Sequence, residues 1–421
     1  MITIYQDYQS NLGSGWENHR TNLLSFKQLI GDQNLILQAD GTLRIAHYVG
    51  FLSKGNTQLQ ILPKIFAGAS YPNPLEEQQQ ASQLLHRLLT WSDFMNFKEL
   101  SDSTVTDEEA SLLEQIIRLF VHRFIRLHQR DVHRNYIHEE DELLYIRGKI
   151  LFPDSFYTGL KRPGYLKNKF DELSMDNLIN GTIKSTLQIM LLSSRSMNNK
   201  RLLRQAIGYL EDVSELPLSI EIFSTIIFNR MNQQYESLIN LAKLIFQGRQ
   251  PGFASGGQKS LSLLLPLNLL FEQTVYHMLV DAFREEGGEV RFQEGKFWGK
   301  STDQQYHFKL IPDFWVTKGK NITHILDTKF KNPISSDGKI ELSAGDMYQL
   351  NAYASRFQCD QLSLIYPRFI GQPNLSGRET CIETYRLVNF DKEVTLRVIQ
   401  IDIMKENREE IVEDLRLGLS Q

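Results

Sequence analysis

Cysteine is scarce in this chain: Cys359 and Cys381 are the only two in 421 residues. That count excludes a disulfide scaffold and a cysteine-rich metal cluster. A surplus of positive charge is missing too. With 46 Lys and Arg against 50 Asp and Glu the formal charge is −4. No global basic field therefore advertises a nucleic-acid partner, and any such contact has to use a local patch or a partner subunit. No stretch approaches the roughly 20 apolar residues of a membrane span, and the opening MITIYQDYQS lacks the basic and apolar regions of a secretory signal. The expectation is a cytoplasmic protein with no membrane partner. Hydrophobic content of 41% and charge of 23% are ordinary for a globular chain, and the length predicts roughly two or three domains.

A nucleotide-binding loop is absent as well. The segment GFASGGQKS, Gly252 to Ser260, has glycines and Lys259, but a phosphate loop needs lysine directly after its second glycine. Gln258 intervenes, and Pro266 spoils the helix start that should follow. The segment reads as a glycine-rich linker, and no nucleotide is expected to bind this chain. His122, His128, His133 and His138 do not have the i, i+4 spacing of a helical metal site and read as structural.

Residues 1 to about 66 are β-rich in pattern, with alternation in Leu35–Leu37, Leu43–Ala46 and Gln58–Leu62 and a hairpin in VGFLSKGNTQLQILPKI. Pro72 to Gln80 reads as a loop, with helical periodicity from Ala81. A helix is expected over Glu108–Asp131, its Arg123, Arg126 and Arg130 forming a solvated stripe or a contact for phosphate or an acidic partner. The basic segment Lys161–Lys169, around Pro163-Gly164, reads as a surface loop. Asp176 to Gly248 is helical in pattern: Leu178–Ser193, Leu202–Val213 and Ile220–Phe246. The expected division is 1–155, a β-rich and α N-terminal domain that docks a partner; 156–250, a helical connector; and 251–421, a catalytic domain. The fold class is α/β with a mixed α+β N-terminal part.

The chemistry is concentrated in Ile311–Lys331, IPDFWVTKGKNITHILDTKFK. This reads as two strands joined by the turn Lys318-Gly319-Lys320-Asn321, the first preceded by Pro312-Asp313. The second, Thr323 to Phe330, carries Asp327-Thr328-Lys329. Alternation sets Asp327 and Lys329 on one face with Thr328 opposite. Two carboxylates and an amine then converge at one end of a sheet, which suits a hard divalent cation and an ammonium that steadies an attacking water or a phosphate oxygen. Asp337-Gly338-Lys339 and Glu294-Gly295-Lys296 repeat the spacing, but both sit in glycine turns with no acidic residue on a preceding strand.

Around this stretch the order of elements is a helix from Asn268 to Glu285, a strand Glu289–Gln293, the two acidic strands, a helix Ala344–Phe357 and a strand Leu362–Tyr366. Strands Cys381–Val388 and Val394–Ile403 and a charged helix follow. Pro-Asp followed by Asp-x-Lys in that plan is similar to the PD-(D/E)xK nuclease core. Glu272 matches the acidic residue that this superfamily places near its metal, and Gln349-Leu-Asn-Ala-Tyr353 matches the Q-x-x-x-Y of its RecB-like branch. VGFLSKGNTQLQILPKI, LYIRGKI, FDELSMDN and DTKFK with QLNAY resemble the McrC family, the nuclease subunits of McrBC-type 5-methylcytosine-specific restriction systems.

That resemblance implies a Mg²⁺-dependent endonuclease, with Mn²⁺ as a substitute, acting on double-stranded DNA and stimulating a partner, an McrB-like hexameric GTPase ring. It implies metal ligation by Asp313, Asp327 and the Thr328 carbonyl, with Glu272 acting through water. Lys329 would orient the attacking water, while Gln349 and Tyr353 position substrate. Two other readings compete: a non-cleaving adaptor that activates the GTPase, and a stand-alone RecB-like repair nuclease.

Overall fold

The computed structural model describes residues 2–54, 57–67, 74–92, 112–247, 262–303, 305–335, 337–372, 380–387 and 393–420. The glycine-rich stretch 252–260 and the expected helix start at 108–111 lie outside them. The chain is mixed α/β, and its contacts form two units: Met1–Leu112 with Gly252–Gln421, and Leu113–Pro251. This grouping differs from the expected 1–155, 156–250 and 251–421, because the first and last parts of the chain share a sheet.

That sheet explains how an N-terminal segment comes to a C-terminal site. Its order is Ile2–Tyr5, Thr57–Leu62, Tyr48–Lys54, Leu263–Pro266. The expected hairpin forms, Leu52 facing Leu59 in antiparallel register. Leu263–Pro266 adds to its outer edge with Leu263 opposite Phe51 and Leu265 opposite Val49. The approach is close at Gly50, whose φ is +137° and where a Cβ would lie 2.1 Å from the Leu263 carbonyl oxygen; only glycine fits there. Ile4, Leu52, Leu59 and Ile61 are fully buried in one cluster with Leu23 and Ile30 from two short helices, Arg20–Ser25 and Lys27–Ile30, that alternation alone did not anticipate, and with Phe26 at their junction. The helix Pro74–Trp91 begins inside the segment expected as a loop to Gln80. Proline at its first position and Glu76 and Glu77 in its first turn suit a helix start, where an N–H is dispensable and negative charge is favoured.

A second sheet of the first unit has six strands in the order Glu289–Phe292, Phe314–Lys318, Asn321–Thr328, Gln361–Pro367, Val394–Ile401, Cys381–Leu387. The acidic strand Asn321–Thr328 is interior, antiparallel to Phe314–Lys318 and parallel to Gln361–Pro367. Flanking helices are Leu267–Arg284, Ala344–Phe357 and Arg408–Ser420. Leu350, Tyr353, Ala354 and Phe357 bury the one-turn stripe of the middle helix against Leu362, Leu364, Leu396 and Val398. A separate hairpin, Lys296–Lys300 with Tyr306–Leu310, was not anticipated.

In the second unit, strand Leu166–Ser174 lies between Asn135–Leu143 and Lys149–Ile150. The segment expected as a basic loop is thus the end of a helix, Phe152–Lys161, and the start of a strand. Lys167 pairs with Glu140 and Asp154, and Lys169 with Glu140, which spends their charge within the sheet. The helices are Leu112–Arg130, Leu178–Ser193, Met197–Gly208 and Glu236–Gln247; the single helix expected over Ile220–Phe246 is broken after Ile220–Thr225. Arg123 is buried, at 6% exposure, while Arg126 is half-buried and Arg130 exposed, so the three arginines do not share one open solvent face. Two of the histidines are packed, His128 stacked on Tyr209 and His133 against Tyr235, while His138 is exposed and paired with Asp171. Among the described residues no helix is long and apolar enough to cross a membrane.

Candidate active site

The hairpin register brings the two aspartates together. Phe314 pairs with Leu326, which sets Asp313 beside Asp327 at one end of adjacent strands. Asp313 is held by the neighbouring strand: Thr328 donates to its Oδ2 from both the backbone N–H and the hydroxyl, each at 2.7 Å. Alternation had set Thr328 on the opposite face, but the strand ends at this residue, and its hydroxyl is free to reach back. The Lys329 N–H then donates to the Ile365 carbonyl at 2.9 Å, fixing the chain where it leaves the sheet.

Asp327 is 1% exposed. Lys329 Nζ forms an ion pair with its Oδ2, while Oδ1 has no hydrogen-bond partner among the described residues. Burial, and then the neighbouring Asp313 carboxylate, pushes Asp327 up to about 6. Glu272, half-buried on the first helix, is pushed up to about 7 by burial and by Asp313. Burial alone would lower the Lys329 ammonium, but Asp327 and the other acids around it outweigh that and hold it above its ordinary value. Asp313, Asp327 and Glu272 gather about the Lys329 ammonium, and a buried Asp327 oxygen without a hydrogen-bond partner among the described residues favours an added positive charge there. Among the described residues no group of three or more His, Cys, Asp and Glu forms a ready metal cage. The donor set is two aspartates, with Glu272 at the edge of the same cleft.

Gln349 and Tyr353 stand one turn apart on Ala344–Phe357, a helix capped by Ser343, whose hydroxyl accepts from the Asp346 N–H at 3.1 Å. Lys329 Nζ donates to Gln349 Oε1 at 3.4 Å, Gln349 Nε2 donates to the Tyr353 hydroxyl at 2.7 Å, and that hydroxyl donates to the Ile311 carbonyl at 2.8 Å. Tyr353 is buried, and through these bonds its hydroxyl holds Gln349 beside Lys329. The decoy Asp337 sits apart, bonded to Ser335 and paired with Lys339.

Several residues at the site had no signal in the sequence. Gln293 Nε2 donates to Glu272 Oε1 at 2.7 Å, and its own N–H donates to the Asp313 carbonyl at 2.9 Å, joining the helix acid to the strand acid. Asp346 pairs with Lys331 at 2.6 Å and lies 4.0 Å from Lys329. Asp7, Arg44, His47 and Lys64, from the N-terminal sheet region, line the same cleft of about 540 Å³. Nothing in their spacing marks them, because what brings them there is the pairing of Leu263–Pro266 with Tyr48–Lys54.

The profile of the family described as "McrBC 5-methylcytosine restriction system component" matches residues 43–367. No curated protein matches the chain. Among solved structures, a chain in the refined half-complex of a tetradecameric assembly of Thermococcus gammatolerans McrB AAA+ hexamers with bound McrC is 20% identical. The match covers 100% of this chain and 99% of that one, with a TM-score of 0.70. A chain of the cryo-EM structure of the Thermococcus gammatolerans McrBC complex is 21% identical over 67% of this chain and 88% of that one, with a TM-score of 0.48. The first of these likenesses establishes a shared fold.

Proposed function

We propose, from the premise that this chain belongs to the McrBC 5-methylcytosine restriction system component family, that it is the subunit that cuts DNA. The observation that carries this reading is the convergence of Asp313, Asp327 and Lys329 at one end of the central strands, with a buried Asp327 oxygen left unpartnered. Asp313 and Asp327 are the residues that would hold Mg²⁺ or Mn²⁺, with the Thr328 carbonyl as a third donor and Glu272 acting through water. When bound, the cation supplies Lewis-acid polarisation of the scissile phosphate. Lys329, kept charged by its acidic neighbours, offers N–H donors to an incoming water and to a phosphate oxygen. Gln349, braced by Tyr353, limits where that ammonium can swing. Glu272, whose carboxyl is pushed up to about 7, can carry or release a proton near neutral pH.

The partner reading extends to this chain what the similar structure contains, McrB AAA+ hexamers. We take the partner to be an McrB-like hexameric GTPase ring, and place its docking surface on the second unit. There Tyr136, Leu144, Tyr145, Ile146, Phe152 and Phe156 are each 61–75% exposed, on one small sheet, the loop between its strands Asn135–Leu143 and Lys149–Ile150, and the helix beside it. Apolar side chains exposed in such a group mark an interaction surface. That favours a partnered nuclease over a stand-alone repair enzyme. DNA contact is assigned to local patches, including the Lys296–Lys300 and Tyr306–Leu310 hairpin, where Lys296, Lys300 and Lys309 lie over aromatic rings. A restriction role places the work where the DNA is, in the cytoplasm.

The test is cleavage of methylated duplex DNA by the chain with its GTPase partner and Mg²⁺, for the wild type and Asp327→Asn. Loss of cutting with partner binding retained supports the nuclease reading. Undiminished cutting by Asp327→Asn rejects the site, and a wild type that stimulates GTP hydrolysis but never cuts establishes the non-cleaving adaptor instead.

A further inference from the structure

The cleft that holds Asp313, Asp327 and Lys329 has two cations and a histidine that the cleavage chemistry does not use. Arg44, His47 and Lys64 line it together with the catalytic groups, and Asp7 organises all three. Asp7 Oδ2 accepts from Lys64 Nζ at 2.6 Å, its Oδ1 accepts from the His47 N–H at 3.3 Å, and its carbonyl accepts from Arg44 Nε at 3.1 Å. Lys64 is 9% exposed, and its ammonium lies 5.6 Å from the ring centre of Phe330, the residue after Lys329. Asp7 and His47 both adopt left-handed backbone conformations, with φ of 63° and 67°. Strain of this kind outside glycine persists where the surroundings hold it, and it concentrates at functional sites.

We infer that Arg44, His47 and Lys64 grip a DNA backbone phosphate next to the scissile one, making the N-terminal sheet part of the substrate-positioning surface of the nuclease site. The inference rests on the nuclease reading above. Charge accounting drives it. Asp7, Glu272, Asp313 and Asp327 face the cleft, so a polyanion enters only where cations accompany it. The donors that Lys329 has beyond its Asp327 pair serve the scissile phosphate and the incoming water, and Lys331 is paired with Asp346. The cations left for a second phosphate are Arg44 and Lys64 of the N-terminal wall, with His47 beside them as an N–H donor. An ammonium has three N–H donors, and Asp7 takes one from Lys64. Asn268 Nδ2 meets His47 Nδ1 at 3.2 Å; with the amide donating, the neutral ring carries its proton on Nε2 and can donate it to a phosphate oxygen. The Leu267 N–H also donates to the His47 carbonyl at 3.1 Å. This fixes the wall to the start of the helix that carries Glu272, so its spacing from the acids is set by the fold. Contacts of this type orient a duplex without reading bases.

The test uses the full-length chain in two assays: binding of a fluorescein-labelled duplex in EDTA as salt is varied, and steady-state cleavage with Mg²⁺ and the GTPase partner. The variants are Arg44→Gln, Lys64→Arg, and the double change Asp7→Asn with Lys64→Gln, which avoids stranding a buried carboxylate. Arg44→Gln and the double variant are expected to weaken binding about tenfold at low salt and to flatten the log–log salt dependence by roughly 0.7–0.9 for each lost phosphate contact. KM should rise in step while kcat stays within about twofold, and Lys64→Arg, which keeps the charge, should retain the affinity and salt slope of the wild type. An unchanged salt slope, or a fall in kcat at unchanged KM, overturns the inference. A wild type that never cuts, with variants that still lose affinity and slope, removes the nuclease reading but leaves the phosphate grip standing. A wild type that cuts, with variants indistinguishable from it, does the reverse.

Discussion

Asp327→Asn should make the metal-free protein more stable at neutral pH even as it removes cleavage. Asp327 is 1% exposed and pushed from an ordinary 3.8 to about 6, by burial first and by Asp313 next. A rise of roughly two pK units corresponds to about 3 kcal/mol of stability forfeited when the carboxyl ionises in the folded state. The sign follows from proton uptake. Between about pH 4 and about pH 6 the folded state holds the proton more tightly than the unfolded one, so stability falls as pH rises through that window and levels off above it. Asparagine is nearly isosteric and never ionises, so it escapes this loss. It also strips Lys329 of its ion pair, although Gln349 and Asp346 stay within 3.4 and 4.0 Å of the ammonium. The net gain is therefore smaller, about 1–2 kcal/mol, or a melting temperature higher by roughly 2–6 °C for a unit of this size. Thermal unfolding in EDTA at about pH 4.5 and about pH 7.5 should show the advantage of Asp327→Asn growing with pH. Millimolar Mg²⁺ should raise the melting temperature of the wild type at the higher pH and leave the variant unmoved, because binding to the folded state alone adds stability. An advantage that shrinks as pH rises, or a variant that gains from Mg²⁺ as much as the wild type, would refute the reasoning.

Asp337→Ala, at the second Asp-x-Lys spacing, should leave cleavage within about twofold of wild type, since its partners Ser335 and Lys339 lie in an exposed turn; a loss as large as that of Asp327→Asn would move the site. Tyr353→Phe deletes the hydroxyl that links Gln349 to the Ile311 carbonyl. Its stability cost should be about 1 kcal/mol, read from chemical denaturation, and single-turnover cleavage should slow several-fold with KM unchanged. A fragment of residues 113–251, once shown to be folded by circular dichroism, should bind the GTPase ring and raise GTP turnover without cutting. A fragment ending near Gln250 should instead be unstable, because it lacks the Leu263–Pro266 strand that pairs with Tyr48–Lys54. Stimulation by the longer fragment alone would return the docking surface to the N-terminal region.

What the sequence discloses about this site is what local geometry fixes. Asp313, Asp327 and Lys329 are legible because one hairpin determines their register, and a helix is legible over Ala344–Phe357 because cap and periodicity agree. Tyr353 shows the limit of that reading, since its burial fits a core residue while its hydroxyl makes two hydrogen bonds that brace the site. The arginine stripe shows another. Periodicity states which residues share a face but not what covers that face, and Arg123 lies buried. The N-terminal wall is the deepest case. Leu-Leu-Leu-Pro at 263–266 is a short apolar run that fits many partners, and nothing in it names the strand more than 200 residues earlier that it joins. Once that pairing forms, Gly50 admits the Leu263 carbonyl, the His47 carbonyl accepts from Leu267, and the helix bearing Glu272 starts at a fixed distance from Asp7 and Lys64. Long-range pairing of this kind couples the geometry of the clustered carboxylates to the N-terminal sheet. Residues far from the acids in sequence thereby share their cleft, and the site is a property of the whole first unit rather than of the last third of the chain.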